Sequence, residues 1–193
     1  MGAINLTRTL AKNKDFIEQV GLESGQSVLK CYQCGKCSAG CPLALDMDYT
    51  PNQVMRMVQL GLKEEVLSCD TIWLCATCAT CATRCPRNVN LTQVMESLRI
   101  MAAQSGRTPQ GKGRMVALFY DSFMETVVKY GRLYEFGAML QYNLKSRQPF
   151  RDADTGLSML RKGKLKLGPS RVKGIGEIAR IFEESRRMEE DGR

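Results

Sequence analysis

Apolar residues recur at helical rather than alternating spacing through most of the chain. Val54, Val58 and Leu62 lie four apart, and Met57 and Val66 widen the stripe. With 3.6 residues per turn, such a stripe is one face of a helix. Thr50 is a suitable N-cap, Pro51 suits the first helical position, and Gln53 completes a capping box. A second helix is predicted from Asn90, with Gln93 three residues on. Val94, Leu98 and Met101 form its apolar face, and Gly106 is its C-cap. Phe16, Ile17 and Val20 give an apolar side to a short helical arm over residues 1–25. Residues 107–114, RTPQGKGR, have the composition of a linker. Beyond them, Phe119, Phe123, Val127, Tyr130, Tyr134 and Leu144 trace one long helix over 115–145. Residues 145–175 read as Gly-rich, basic and irregular, and a last helix is predicted over 174–190. No convincing alternating strand appears, so the expected fold class is all-α.

A second periodicity is carried by cysteine. Cys31, Cys34, Cys37 and Cys41 are followed by Pro42. Cys75, Cys78, Cys81 and Cys85 repeat that spacing, with Pro86 after them, 44 residues later at all five positions. Each motif precedes a helix carrying Gln-Val-Met, at residues 53–55 and 93–95. The chain therefore reads as an internal duplication. The 33 residues between Cys41 and Cys75 read as helix, whereas small bacterial ferredoxins join their motifs through short strands.

Cysteine thiolates are the ligands of four-iron clusters. Two residues between successive Cys let a tight loop supply three corners of a cube. The fourth Cys, before Pro, is turned away, and in two-cluster ferredoxins it ligates the other cluster. The predicted ligand sets are thus Cys31, Cys34, Cys37 and Cys85 for one [4Fe-4S] cluster, and Cys75, Cys78, Cys81 and Cys41 for a second. The alternative is zinc, whose structural sites usually draw on two C-x2-C pairs far apart in sequence. Four Cys within eleven residues, twice over, favour iron–sulfur. Gly35, Ser38, Ala39 and Gly40, like Ala76, Thr77, Ala79, Thr80 and Ala82, are small. They suit tight turns and also let backbone N–H groups approach cluster sulfurs, which raises reduction potential. Cys69 fits neither motif and reads as a buried thiol, with a redox or ligating role as the alternative. Trp73 is expected to pack near a cluster. Lys36, Arg84 and Arg87 either tune the clusters by charge or are solvated surface. The domain reading is an arm over 1–25, an α-helical two-cluster ferredoxin domain over 26–106, and a helical, basic extension for partner docking over 107–193.

Composition narrows the chemistry. The chain has 193 residues, 44% hydrophobic and 25% charged, with nine Cys and no His. Lack of His removes the commonest acid/base catalyst, and no catalytic residue is predicted. Nine Cys without a secretory signal suggest metal binding in a reducing cytoplasm rather than disulfides. No apolar run is long enough to span a membrane. The net charge is +8. Two clusters, each about −2 with its thiolates, would leave roughly +4, so the basic excess is a weak argument for nucleic acid. Residues 161–173, RKGKLKLGPSRVK, carry six positive and no negative side chains, but no aromatic residue for base stacking. Docking to an acidic protein, or simple solvation, is preferred. Gly174, Gly176 and Ala179 match G-x-G-x-x-A, but with only 14 residues after Ala179 there is no room for a βαβ unit.

The two CxxCxxCxxxCP motifs with a helical spacer, the stretch DTIWLCATCATCATRCP from Asp70 to Pro86, and VKGIGEIARIF from Val172 to Phe182 resemble the iron–sulfur C subunit of heterodisulfide reductase. The cysteine motifs alone are shared with the iron–sulfur subunits of succinate dehydrogenase and fumarate reductase. Those would carry an N-terminal two-iron domain, for which the 30 residues before Cys31 are too few. The resemblance implies an electron-relay subunit, not itself catalytic, in a hetero-oligomeric complex. It would carry electrons from a flavin-containing A subunit to a B subunit that reduces a disulfide on Cys-Cys-Gly motifs. This chain has no Cys-Cys pair. An iron–sulfur subunit of another quinone-linked or 2-hydroxy-acid dehydrogenase, and a nucleic-acid-binding regulator using residues 161–173, are the alternatives.

Overall fold

In a computed structural model, residues 13–149, 153–164, 168–169 and 172–191 are described. Residues 1–12 of the expected arm, and 165–167, 170 and 171 of the basic stretch, lie outside the described residues. The architecture is all-α, with no strand among the described residues. The chain divides into two compact units, 1–116 and 117–193.

The first unit contains α1 (Lys14–Ser24), a 3-10 turn (Val28–Lys30), α2 (Lys36–Ala39), α3 (Pro51–Gln59), α4 (Lys63–Ser68), α5 (Thr71–Leu74), α6 (Thr80–Thr83) and α7 (Leu91–Gln104). Helix α1 packs on α7 and α3, while α4, α5 and α6 also pack on α7. The stripes meet as expected: Phe16 and Val20 of α1, Val54 and Val58 of α3, and Val94 and Leu98 of α7 are buried. Each such side chain taken from water contributes about 1.5–3 kcal/mol before entropy is counted. The two short cysteine helices, α2 and α6, touch each other, and each packs on the longer helix that follows it, α3 and α7.

The stripe from Val54 to Val66 is not one helix. Gly61 adopts φ +67°, and the chain turns there before α4. Val66 is still fully buried, because the turn returns α4 to the same core. At the start of α3 the capping box forms: the Gln53 side chain accepts from Thr50 N–H at 2.8 Å. At the start of α7 the arrangement differs. Asn90 Oδ1 accepts from Gln93 N–H at 3.4 Å, but the Asn90 N–H donates to Gln26 Oε1 at 2.9 Å. Gln26 in turn donates to Gln93 Oε1 at 2.7 Å, so a distant loop supplies what Gln93 would supply locally. Gly106, at φ +65°, follows the end of α7.

Asp48 ties the loop after the first motif to α5, which leads into the second. Its carboxylate accepts from the N–H groups of Asp70 and Thr71, each at 2.9 Å, and from Thr71 Oγ1 at 2.6 Å. Residues 107–111 cross this corner as a loop. Gly111 N–H donates to Asp70 Oδ1 at 3.2 Å, Lys112 pairs with Asp46 at 2.7 Å, and Arg107 pairs with Glu64. Gly111 and Gly113 are required there: a Cβ on either would run into Asp70.

The second unit contains the rest of α8 (Lys112–Tyr130), α9 (Glu135–Lys145), α10 (Ala153–Arg161) and α11 (Ile175–Asp191). The single helix expected over 115–145 is broken. Gly131, at φ +75°, reverses the chain, so that Phe119 of α8 meets Tyr142 of α9 edge-on at 6.1 Å. The stretch expected to be irregular holds α10. Gly174, at φ +87°, precedes α11, which confirms the G-x-G-x-x-A match as a helix start.

Candidate iron–sulfur site

The backbone repeats the cysteine spacing as geometry. Gln33 and Gly35 have φ of +65° and +75°, and Thr77 and Ala79, 44 residues on, have +51° and +60°. Residues 36–39 and 80–83, at the same offset, form α2 and α6. Cys41 N–H donates to the carbonyl of Ser38, and Cys85 N–H to that of Ala82, both at 3.2 Å. Two left-handed residues flanking the second Cys curl the chain in each motif, and the fourth Cys follows the short helix.

The structure brings Cys41 to the second motif. Cys41, Cys75, Cys78 and Cys81 line one cavity with an apolar wall that includes Leu43, Met47 and Met95. Around the first motif, Cys31 lies within electrostatic reach of Cys37. The Tyr32 hydroxyl lies within electrostatic reach of Cys34, Cys85 and Arg87. Cys37 is buried, Cys34 and Cys78 are exposed, and the other five motif cysteines are half-buried. Cys69 is buried away from these sets, 3% exposed.

Local donors meet the sulfurs. Gln33 Nε2 donates to Cys31 Sγ at 3.5 Å and Val89 N–H to Cys85 Sγ at 3.4 Å. The Cys78 thiol donates to Thr80 Oγ1 at 3.4 Å, and Thr92 Oγ1 lies 3.8 Å from Cys81 Sγ. The Thr80 hydroxyl and N–H hold the Cys78 thiol below its ordinary value. Burial pushes the thiols of Cys37 and Cys75 up. Burial thus disfavours free thiolates at those two positions, and metal binding there would be coupled to their deprotonation.

Two residues behind the loops were not singled out from sequence. Gln59 Nε2 donates to the carbonyls of Val28 and Cys31, at 2.9 and 2.8 Å. Arg99 donates to the carbonyls of Ile72 and Cys75, also at 2.9 and 2.8 Å. Each lies six residues past the start of its Gln-Val-Met, the signal that would have found them. Arg84 lies against Gly40, and Trp73 is buried with no hydrogen-bond partner for its Nε1.

The donor set fits a polynuclear cluster. Among the described residues, no three His, Cys, Asp or Glu side chains converge closely enough to hold a single metal ion. Four thiols instead ring an apolar cavity. A zinc ion, with Zn–S bonds near ~2.3 Å, would demand convergence on one point. No described helix is long and apolar enough to cross a membrane.

Comparison with known proteins agrees. Residues 27–89 match the 4Fe-4S dicluster domain family. The chain is 44% identical over 103 residues to the iron-sulfur C 2 subunit of CoB–CoM heterodisulfide reductase from Methanocaldococcus jannaschii, covering 49% of this chain and 54% of that one. It is 39% identical over 115 residues to the iron-sulfur C subunit of CoB–CoM heterodisulfide reductase from Methanopyrus kandleri, covering 55% of this chain and 59% of that one. It is 37% identical over 102 residues to the C subunit of H(2):CoB-CoM heterodisulfide,ferredoxin reductase from Methanothermobacter marburgensis, covering 53% and 55%. The chain thus spans between 54% and 59% of the length of these relatives. Over residues 27–89 the chain matches the 4Fe-4S dicluster domain family, and over about half its length it resembles the iron–sulfur C subunit of heterodisulfide reductases.

Proposed function

We propose that the chain is an electron-relay subunit of a cytoplasmic heterodisulfide-reductase-like complex. It passes single electrons through two [4Fe-4S] clusters, from a flavin-containing A subunit to a disulfide-reducing B subunit with Cys-Cys-Gly motifs. Cys31, Cys34, Cys37 and Cys85 hold one cluster, and Cys75, Cys78, Cys81 and Cys41 hold the other. When bound, such clusters take up and return one electron at a time without substrate chemistry. The chain's own residues hold the thiolates, donate to their sulfurs and exclude water from the cavity wall. The reading is carried chiefly by one observation: Cys41, from the first motif, lines the cavity formed by three cysteines of the second. Residues 107–193 serve as the docking extension.

The test is iron and sulfide analysis with EPR of the anaerobically reduced full chain. Eight irons and two interacting signals per chain are expected. One zinc per motif and no iron would overturn the reading. Co-purification separates the complexes: a flavoprotein with a Cys-Cys-Gly protein supports this assignment, and a quinone-linked membrane protein supports a different dehydrogenase.

A further inference from the structure

Each motif is held from behind by one side chain, and the two side chains differ in charge. Gln59 bonds the carbonyls of Val28 and Cys31; Arg99 bonds those of Ile72 and Cys75. Val28 and Ile72, like Cys31 and Cys75, are 44 residues apart. Position and partners match, so the duplication supplies its own control: an amide does the holding on one side, a guanidinium on the other.

Resting on the relay reading above, we infer that Arg99 makes the two ends of the relay unequal. The cluster held by Cys41, Cys75, Cys78 and Cys81 is the easier to reduce, and the electron rests at that end. Reduction adds one electron and one negative charge, delivered by an external one-electron donor, with no bond made or broken. A fixed cation behind Cys75 favours the more negative form, and the neutral amide behind Cys31 does not. The competing cations Lys36, Arg84 and Arg87 are exposed, where water and salt screen them. Arg99 is half-buried and pinned by two carbonyls, so its charge acts at a lower effective dielectric. The nearby carboxylate of Asp48 is answered by its own donors from Asp70 and Thr71.

The experiment is a potentiometric EPR titration, with dithionite as reductant, of the full chain loaded with iron and sulfide. Wild type is compared with Arg99→Gln, Arg99→Lys and Gln59→Arg. Arg99→Gln places the amide that already serves at position 59, so the hold on the loop is kept while the charge is lost. It should lower one of the two potentials by about 59 mV, a tenfold change in the one-electron equilibrium, and leave the other in place. Arg99→Lys should retain most of the wild-type value. Gln59→Arg should raise the other potential and bring the two together. Cys78→Ser, which perturbs the same step as Arg99→Gln, identifies that step. An Arg99→Gln protein with full iron and unchanged potentials, or with both shifted equally, overturns the inference. If Arg99→Gln loses iron, a Gln59→Arg protein with unchanged potentials overturns it instead. A wild-type chain without two clusters would sink the relay reading, which is a different result.

Discussion

The Arg84 side chain lies against the α-carbon of Gly40, and these two residues are counterparts, 44 positions apart in the duplicated halves. A Cβ on Gly40 would sit 2.6 Å from Arg84 Nη1 and 2.7 Å from its Cδ. The residues preceding the fourth Cys of each motif thus meet where the halves face each other, and only one of the two can be large. Gly40→Ala should lower stability by about 1 kcal/mol, because Arg84 must swing aside. Arg84→Ala alone should be nearly neutral, and the double variant should recover most of the loss. Denaturant midpoints of the four proteins, measured anaerobically, close the cycle. Additive effects would mean that the contact carries no weight.

Counterpart backbone positions should respond in opposite ways. Gly35 and Ala79 both adopt left-handed φ, at +75° and +60°, and a Cβ on Gly35 would meet nothing within 4 Å. Gly35→Ala should therefore cost about 1 kcal/mol through the backbone alone. Ala79→Gly should be neutral or stabilising by a few tenths, since relieved strain offsets the extra freedom of the unfolded chain. Thermal melts followed by circular dichroism would read both.

Crossing of the ligands has a direct signature. Cys41→Ser should alter the same EPR component as Cys78→Ser, although Cys41 belongs in sequence to the other motif. Cys85→Ser should group with Cys34→Ser. If Cys41→Ser grouped with Cys34→Ser, each motif would hold its own cluster.

Asp48 links pH to the closure of the two halves. Partial burial would raise its carboxyl, but donors from Thr71, Asp70 and Tyr49 outweigh burial and hold it below its ordinary value of 3.8. A carboxyl depressed by folding contributes stability that is present above the ordinary value and lost as pH falls through the folded one. Asp48→Asn should lower stability near neutral pH by about 1 kcal/mol, discounted for partial exposure. The gap from wild type should narrow as pH falls toward and below 3.8. A gap independent of pH would remove the carboxylate from the explanation.

Cys69 should be chemically quiet in the native fold. It is 3% exposed, and burial pushes its thiol up to about 11. Iodoacetamide at pH 8 should leave it unmodified in the folded holo-protein and modify it after denaturation, as mass spectrometry of digests would show. Rapid native labelling would mark the surrounding core as open.

The helical class, the duplication, the eight thiols and the apolar faces of α3 and α7 were all legible in the chain, because local periodicity and ligand spacing are properties of sequence neighbours. Breaks at Gly61 and Gly131 were not. A glycine inside a helical stripe is tolerated as often as it turns, and packing decides which. The hold of Gln26 on Asn90, the knot at Asp48, and the meeting of Arg84 with Gly40 join residues 22 to 64 positions apart, and no local rule anticipates them. The sequence by itself determined that there are two four-cysteine motifs and that small residues must line them. The spacing also predicts that Cys41 joins the second motif, and Cys41 lines that motif's cavity. Only the tertiary structure decided that Gln59 and Arg99 occupy equivalent places with unequal charge. The physical reason is that spacing constrains what one loop can wrap, whereas the field at a wrapped site depends on whatever the fold packs behind it.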